Sequence, residues 1–84
     1  MSVEQKLRGY ILENFLFTED HKALDNADSF MKKGIIDSTG ILEVINFLQD
    51  EFGIGVEDEE MVPANLDSVN SIVAFVERKR KAVA

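Results

Sequence analysis

Three serines in this chain follow an aspartate, in the pairs Asp28-Ser29, Asp37-Ser38 and Asp67-Ser68. Such a pair suits two kinds of chemistry. The side-chain oxygens of Asp and Ser accept hydrogen bonds from the unpaired N–H groups that open a helix, which makes capping the ordinary role. A serine hydroxyl at a helix start is also a favourable place for a phosphate ester, because the same N–H groups and the positive end of the macrodipole face it. Asp28-Ser29 falls in the middle of a long irregular stretch, and Asp67-Ser68 opens the last helical pattern as a cap. Asp37-Ser38 instead follows the apolar Gly34-Ile35-Ile36 and heads the run Ile41-Leu42-Glu43-Val44-Ile45-Asn46-Phe47-Leu48. Ser38 is therefore the candidate modification site, with capping as the competing role at all three pairs.

Other chemistry is poorly supplied. His21 is the sole histidine, so Ser38 has no second imidazole to draw on as a base, and no cysteine is present to act as a nucleophile, disulfide partner or thiolate ligand. Glu57-Asp58-Glu59-Glu60 offers oxygen ligands to a divalent cation, but the alternating acidic residues, central glycine and terminal glutamate of an EF-hand are missing. Glycines 9, 34, 40, 53 and 55 fit neither a phosphate-binding loop nor a dinucleotide fingerprint. The expectation is a protein that is not an enzyme and has no metal site. Thiol chemistry, if there is any, must be imported.

The charge pattern points to a protein partner. Net charge is −7, and all nine Lys and Arg fall at positions 6, 8, 22, 32, 33 and 78–81, leaving none between Gly34 and Glu77. That interval repels nucleic acid and anionic membrane and steers basic protein surfaces toward itself. The basic tail Arg78-Lys79-Arg80-Lys81 complements the negative end of its own helix. With 84 residues and 45% hydrophobic content, the chain suits one domain over 1–84 with a small packed core. No stretch has the length to cross a bilayer, and the N-terminus lacks a basic region ahead of an apolar run; the expectation is a cytoplasmic monomer.

Helical elements must position Ser38. Ser2 and Gln5 fit a capping box, and Val3, Leu7, Tyr10, Ile11 and Phe15 recur at helical spacing, predicting a helix over 3–14. Residues 18–37 lose that period and read as a long ordered loop with a short helical turn, tacked down by Leu24, Phe30, Ile35 and Ile36. A second helix over 39–51 should bury Leu42, Ile45, Leu48 and Phe52, with Val44 and Phe47 beside them, until Gly53 and Gly55 stop it. A short acidic helix over 58–62 should end before Pro63. The last helix, 68–81, should bury Val69, Ile72, Val73 and Val76 with Phe75 alongside.

Taken together, Gly34-Ile35-Ile36-Asp37-Ser38, the helix Leu42-Glu43-Val44-x-x-x-Leu48-x-Asp50-Glu51-Phe52, then Gly53-Ile54-x-Val56 with Asp58-Glu59-Glu60, resemble the acyl carrier protein family across nearly the whole chain. The resemblance implies an all-α bundle of three main helices and one short one. It implies a 4′-phosphopantetheine arm on Ser38, beside Asp37, attached from coenzyme A by a phosphopantetheinyl transferase and supplying the thiol that holds acyl cargo as a thioester. It further implies that Asp37, Glu43, Asp50 and Glu51 dock Lys- and Arg-bearing acyl-transfer, ligase or synthase enzymes. Thr39 and Gly40 depart from the family, which usually places Leu or Met and then an acidic residue there; Asn46 and Phe47 also depart along the same helix. These differences point to a specialised carrier with partners other than those of fatty-acid synthesis. Two further readings remain open on the residues alone: an acidic helical adaptor without an arm, and a metal-responsive regulator built on the carboxylates at 57–60.

Overall fold

The structure is a computed structural model that describes residues 2–83, so the outermost residues of the expected 1–84 domain lie outside the described residues. Its first helix, α1, spans Val3–Ile11 and opens on the expected capping box: Ser2 Oγ accepts from the Gln5 N–H, and the Gln5 side chain accepts from the Ser2 N–H. Val3, Leu7 and Ile11 are buried at helical spacing. The helix does not simply stop near residue 14 but widens into a π-turn over Leu12–Leu16. Leu12 is buried in the core at this turn and Phe15 packs against it.

Residues 17–39 form the long loop, with the expected short helical turn present as a 3₁₀ turn at His21–Ala23. Leu24, Phe30 and Ile36 are its buried anchors, and Ile35 packs against the core from outside. Polar bonds complete the tether. The Phe30 N–H donates to the Asp67 carbonyl at 2.8 Å, the Met31 N–H to the Asp67 carboxylate at 3.1 Å, and the Asn70 N–H to the Asn26 carbonyl at 3.0 Å.

Helix α2 spans Gly40–Phe52 and ends at Gly53, which takes the left-handed conformation (φ 66°) that closes helices and that glycine adopts without crowding. Its buried residues are Val44, Ile45 and Leu48; Leu42, expected in the core, is 54% exposed. A 3₁₀ turn at Asp58–Glu60 precedes α3, Pro63–Leu66. The short helix is thus displaced from 58–62, since Pro63 opens it: a proline at the first helical position lacks only an N–H that would have had no partner there. Helix α4, Val69–Val83, begins at Ser68, whose Oγ accepts from the Ser71 N–H at 3.1 Å. It buries Val69, Ile72, Phe75 and Val76, so Phe75 holds the central place expected of Val73.

Helix α4 packs on α1, α2 and α3, and α1 lies antiparallel to α2. The direction follows from the pairings: Lys6 meets Glu51, Tyr10 stacks on Phe47, and Phe15 lies on Gly40. The fold is an all-α bundle of three main helices and a short one, with no strand among the described residues.

Candidate functional site

The start of α2 sets the surroundings of Ser38. Thr39 is already helical (φ −76°, ψ −42°) and makes no side-chain cap bond. The cap is one step further back: Asp37 Oδ1 accepts from the Gly40 N–H at 2.6 Å, and the Asp37 carbonyl accepts from the Ile41 N–H at 3.0 Å. Asp37 therefore performs the capping that either member of the pair was able to perform. Ser38 lands on the first turn, exposed, and among the described residues its hydroxyl makes no hydrogen bond.

The other two pairs are committed. The Ser29 hydroxyl bonds the Asp67 carboxylate and accepts from the Lys32 N–H at 3.2 Å, while Ser68 caps α4 and bonds the Ser71 hydroxyl at 3.0 Å. Two of the three Asp-Ser pairs thus join one another, Ser29 to Asp67, and pin the loop to the last helix. Their shared structural role separates them from Asp37-Ser38, which the sequence pattern alone does not do.

Ser38 also sits on the wall of an apolar cleft of about 210 Å³. Leu42 and Ile45 of α2 line one side, Phe30, Met31 and Ile36 of the loop another, and Met61, Val62, Pro63 and Leu66 the third. Met31, Leu42, Met61 and Val62 are partly exposed at its edge, an arrangement of flexible and branched apolar side chains around an opening. Sequence reasoning missed this rim; its signal was the pair Met61-Val62, apolar between an acidic turn and Pro63.

Gly40 is explained by contact. A Cβ built there would lie 2.9 Å from a Phe15 ring carbon, 3.1 Å from an Ile36 methyl and 3.3 Å from Asp37 Oδ1. Any side chain at this position pushes on the π-turn and on the capping carboxylate together. Phe47 likewise belongs to the α1–α2 seam and not to the cleft: its ring stacks on Tyr10 at 4.1 Å and meets Phe52 edge-on at 5.9 Å. The Tyr10 hydroxyl donates to the Glu43 carbonyl at 3.2 Å, and burial followed by the Glu43 charge raises its pKa above the ordinary tyrosine value.

Of the acidic residues on α2, Glu43 and Asp50 are exposed and seven residues apart, nearly two full turns, so they share a stripe with Asn46 between them. Glu51 lies around the helix from that stripe and pairs with Lys6 at 3.1 Å. Within the Glu57–Glu60 segment the last carboxylate is engaged internally: Glu60 Oε1 accepts from the Glu57 N–H at 2.9 Å and from Lys79 Nζ at 2.8 Å. Hydrogen bonding from Lys79, then from the Glu57 amide, holds the Glu60 carboxyl below its ordinary pKa. Among the described residues no three ligand side chains gather to hold a metal ion.

No family model matches the chain. Over 76 residues, 90% of this chain and 86% of its relative, it is 34% identical to the probable acyl carrier protein PigG of Serratia sp. (strain ATCC 39006). The chain belongs to the acyl carrier protein family. Acyl carrier proteins are carriers built around a phosphopantetheine group, and the partners of this one are accordingly biosynthetic enzymes. No helix among the described residues of this acyl carrier protein is long and apolar enough to cross a membrane.

Proposed function

We propose that this chain carries acyl intermediates as thioesters on a 4′-phosphopantetheine arm joined to Ser38 Oγ. The observation that carries the reading is the division of labour at the α2 start: Asp37 caps the helix, and the Ser38 hydroxyl is left exposed beside an apolar cleft. The residues fit the group. The N–H groups of Ser38 and Thr39 donate to no described residue, so a phosphodiester on Ser38 would face two unpaired donors at the positive end of α2. Once bound, the arm supplies the thiol that this cysteine-free chain lacks. Beside Ser38, Leu42 and Ile45 offer an apolar wall to whatever part of the arm or its cargo folds back, excluding water from it.

Docking is assigned to Asp37, Glu43 and Asp50, with Glu51 at the edge because Lys6 already pairs with it. Exposed carboxylates of this kind speed encounter with basic enzyme surfaces while contributing little to the lifetime of the complex, which suits a carrier that must leave each partner. The carrier itself supplies no catalytic group; the partners named by this reading are a phosphopantetheinyl transferase and the ligases, acyltransferases or synthases that fill and empty the arm.

The test is intact-mass spectrometry after incubation with coenzyme A and a broad-specificity transferase. The wild-type chain should gain one phosphopantetheine, and Ser38→Ala should gain none. Modification that survives Ser38→Ala moves the site to Ser29 or Ser68 and removes the assignment.

A further inference from the structure

Phe17 is 82% exposed, the most accessible large apolar side chain among the described residues. Its backbone lies at φ 52°, ψ 44°, and it is the sole non-glycine residue with positive φ among them. In that region a Cβ is crowded by the backbone, which is why glycine or asparagine is the usual occupant. The end of the π-turn enforces the conformation, since the N–H groups of Phe17 and Thr18 both donate to the Leu12 carbonyl. The fold thus gains nothing from this aromatic ring: its backbone is strained and its face is in water. Strain kept at an exposed position points to a use outside the fold.

The pairing of α1 with α2 says where that use lies. Lys6 opposite Glu51, Tyr10 opposite Phe47 and Phe15 opposite Gly40 descend α2 as they ascend α1. The contact of Phe15 with Gly40 puts the end of the π-turn, which Phe17 follows directly, at the end of the bundle where α2 starts and Ser38 lies. The ring stands in acidic surroundings: Glu13, Glu19 and Asp20 are exposed near it in the chain, and Asp37 is exposed beside Ser38. Of the Lys and Arg residues nearest in the chain, Arg8 is engaged by the Asn26 side chain and the His21 carbonyl, and Lys22 is exposed five residues on.

Resting on Ser38 as the modified residue, we propose that Phe17 is a docking anchor for the phosphopantetheinyl transferase, seated in an apolar pocket rimmed by Lys or Arg side chains. The transferase is the partner singled out because it alone must bring the Ser38 hydroxyl itself into its active site, so its surface closes over this end of the bundle. Enzymes that act on the far end of a long arm have no such requirement. An exposed aromatic ring set among carboxylates matches a pocket whose centre is apolar and whose edge is basic, the arrangement in which one side chain dominates an interface.

The experiment compares the full wild-type chain with Phe17→Gly and Phe17→Leu, using coenzyme A and a broad-specificity transferase at varied carrier concentration, alongside thermal melts. Phe17→Gly should raise the KM for the carrier about tenfold with kcat nearly unchanged, while raising Tm by about 4–8 °C through relief of the left-handed strain. Phe17→Leu, which keeps an apolar side chain and the strain, should hold KM within about threefold and leave Tm near wild type. A KM for Phe17→Gly equal to that of wild type overturns the anchor, and so does a lowered Tm, which would make the ring a structural support. Failure of wild type to gain mass is a separate readout and strikes the Ser38 assignment instead.

Discussion

At the scale of the residue, the arrangement turns on two neighbours that sequence alone leaves interchangeable. Asp and Ser are comparable helix caps, and the pair at 37–38 gives either one the chance. The Gly40 N–H chooses Asp37, at 2.6 Å, and this releases Ser38. Opposite outcomes follow for two alanine substitutions one position apart. Asp37→Ala should lower stability by about 1 kcal/mol, the usual loss for a helix cap, lowering Tm by about 4–8 °C in a domain of this size. Ser38→Ala should leave Tm within the roughly 0.5 kcal/mol scatter of surface changes while abolishing modification. Thermal melts of the unmodified proteins check both, and a large loss in Ser38→Ala would show that the hydroxyl is a cap after all.

At the scale of the element, α1 and α2 are joined by a column of aromatic contacts, Phe15 against Tyr10, Tyr10 on Phe47 and Phe47 against Phe52, which ends at Gly40. The glycine is a packing requirement, since a Cβ there would come within 2.9 Å of Phe15. Gly40→Ala should therefore destabilise by roughly 1 kcal/mol, an overpacking loss of about 1–3 kcal/mol less the helix-propensity gain of about 1. In a Phe15→Ala background the loss should disappear or reverse, because the ring that collides is gone. Urea unfolding of the four proteins of this double-mutant cycle measures the coupling, and additive effects would show that Phe15 and Gly40 do not constrain each other. This seam marks the limit of what sequence carries. The capping box at Ser2 and Gln5, the buried Val3, Leu7 and Ile11 and the loop anchors Leu24, Phe30 and Ile36 are local patterns, and each was legible. The π-turn at Leu12–Leu16, the exposure of Leu42 and the left-handed Phe17 depend on which neighbour arrives from elsewhere in the fold, and no period in the chain encodes that. Pro63 was legible as a boundary but not as to which side of it is helical, because proline both ends one helix and opens another.

At the scale of the whole molecule, folding mixes charges that the chain keeps apart. The segment from Gly34 to Glu77 has no cation of its own, yet Lys6 reaches Glu51 from α1 and Lys79 reaches Glu60 from α4, while Arg78 bonds the Asn65 side chain. Neither Glu43 nor Asp50 forms an ion pair among the described residues, so the unmatched charge collects on the α2 stripe proposed for docking. The Glu60 pair ties α4 to the acidic turn, and its dependence on pH has a definite sign. Lys79 and the Glu57 amide hold the Glu60 pKa down in the folded protein. Its stabilising contribution is therefore complete above the unfolded glutamate pKa of about 4.3 and is lost as pH falls through the lower folded value. Acidification also neutralises the other carboxylates and relieves their repulsion, but Glu60→Gln shares that background with the wild type. Glu60→Gln should melt below wild type at pH 7, and the gap should narrow progressively as the pH is lowered from 5 through about 4.3 and below. A gap that stays constant over this range would mean that the substitution acts through packing of the 58–60 turn and not through the charge of the pair.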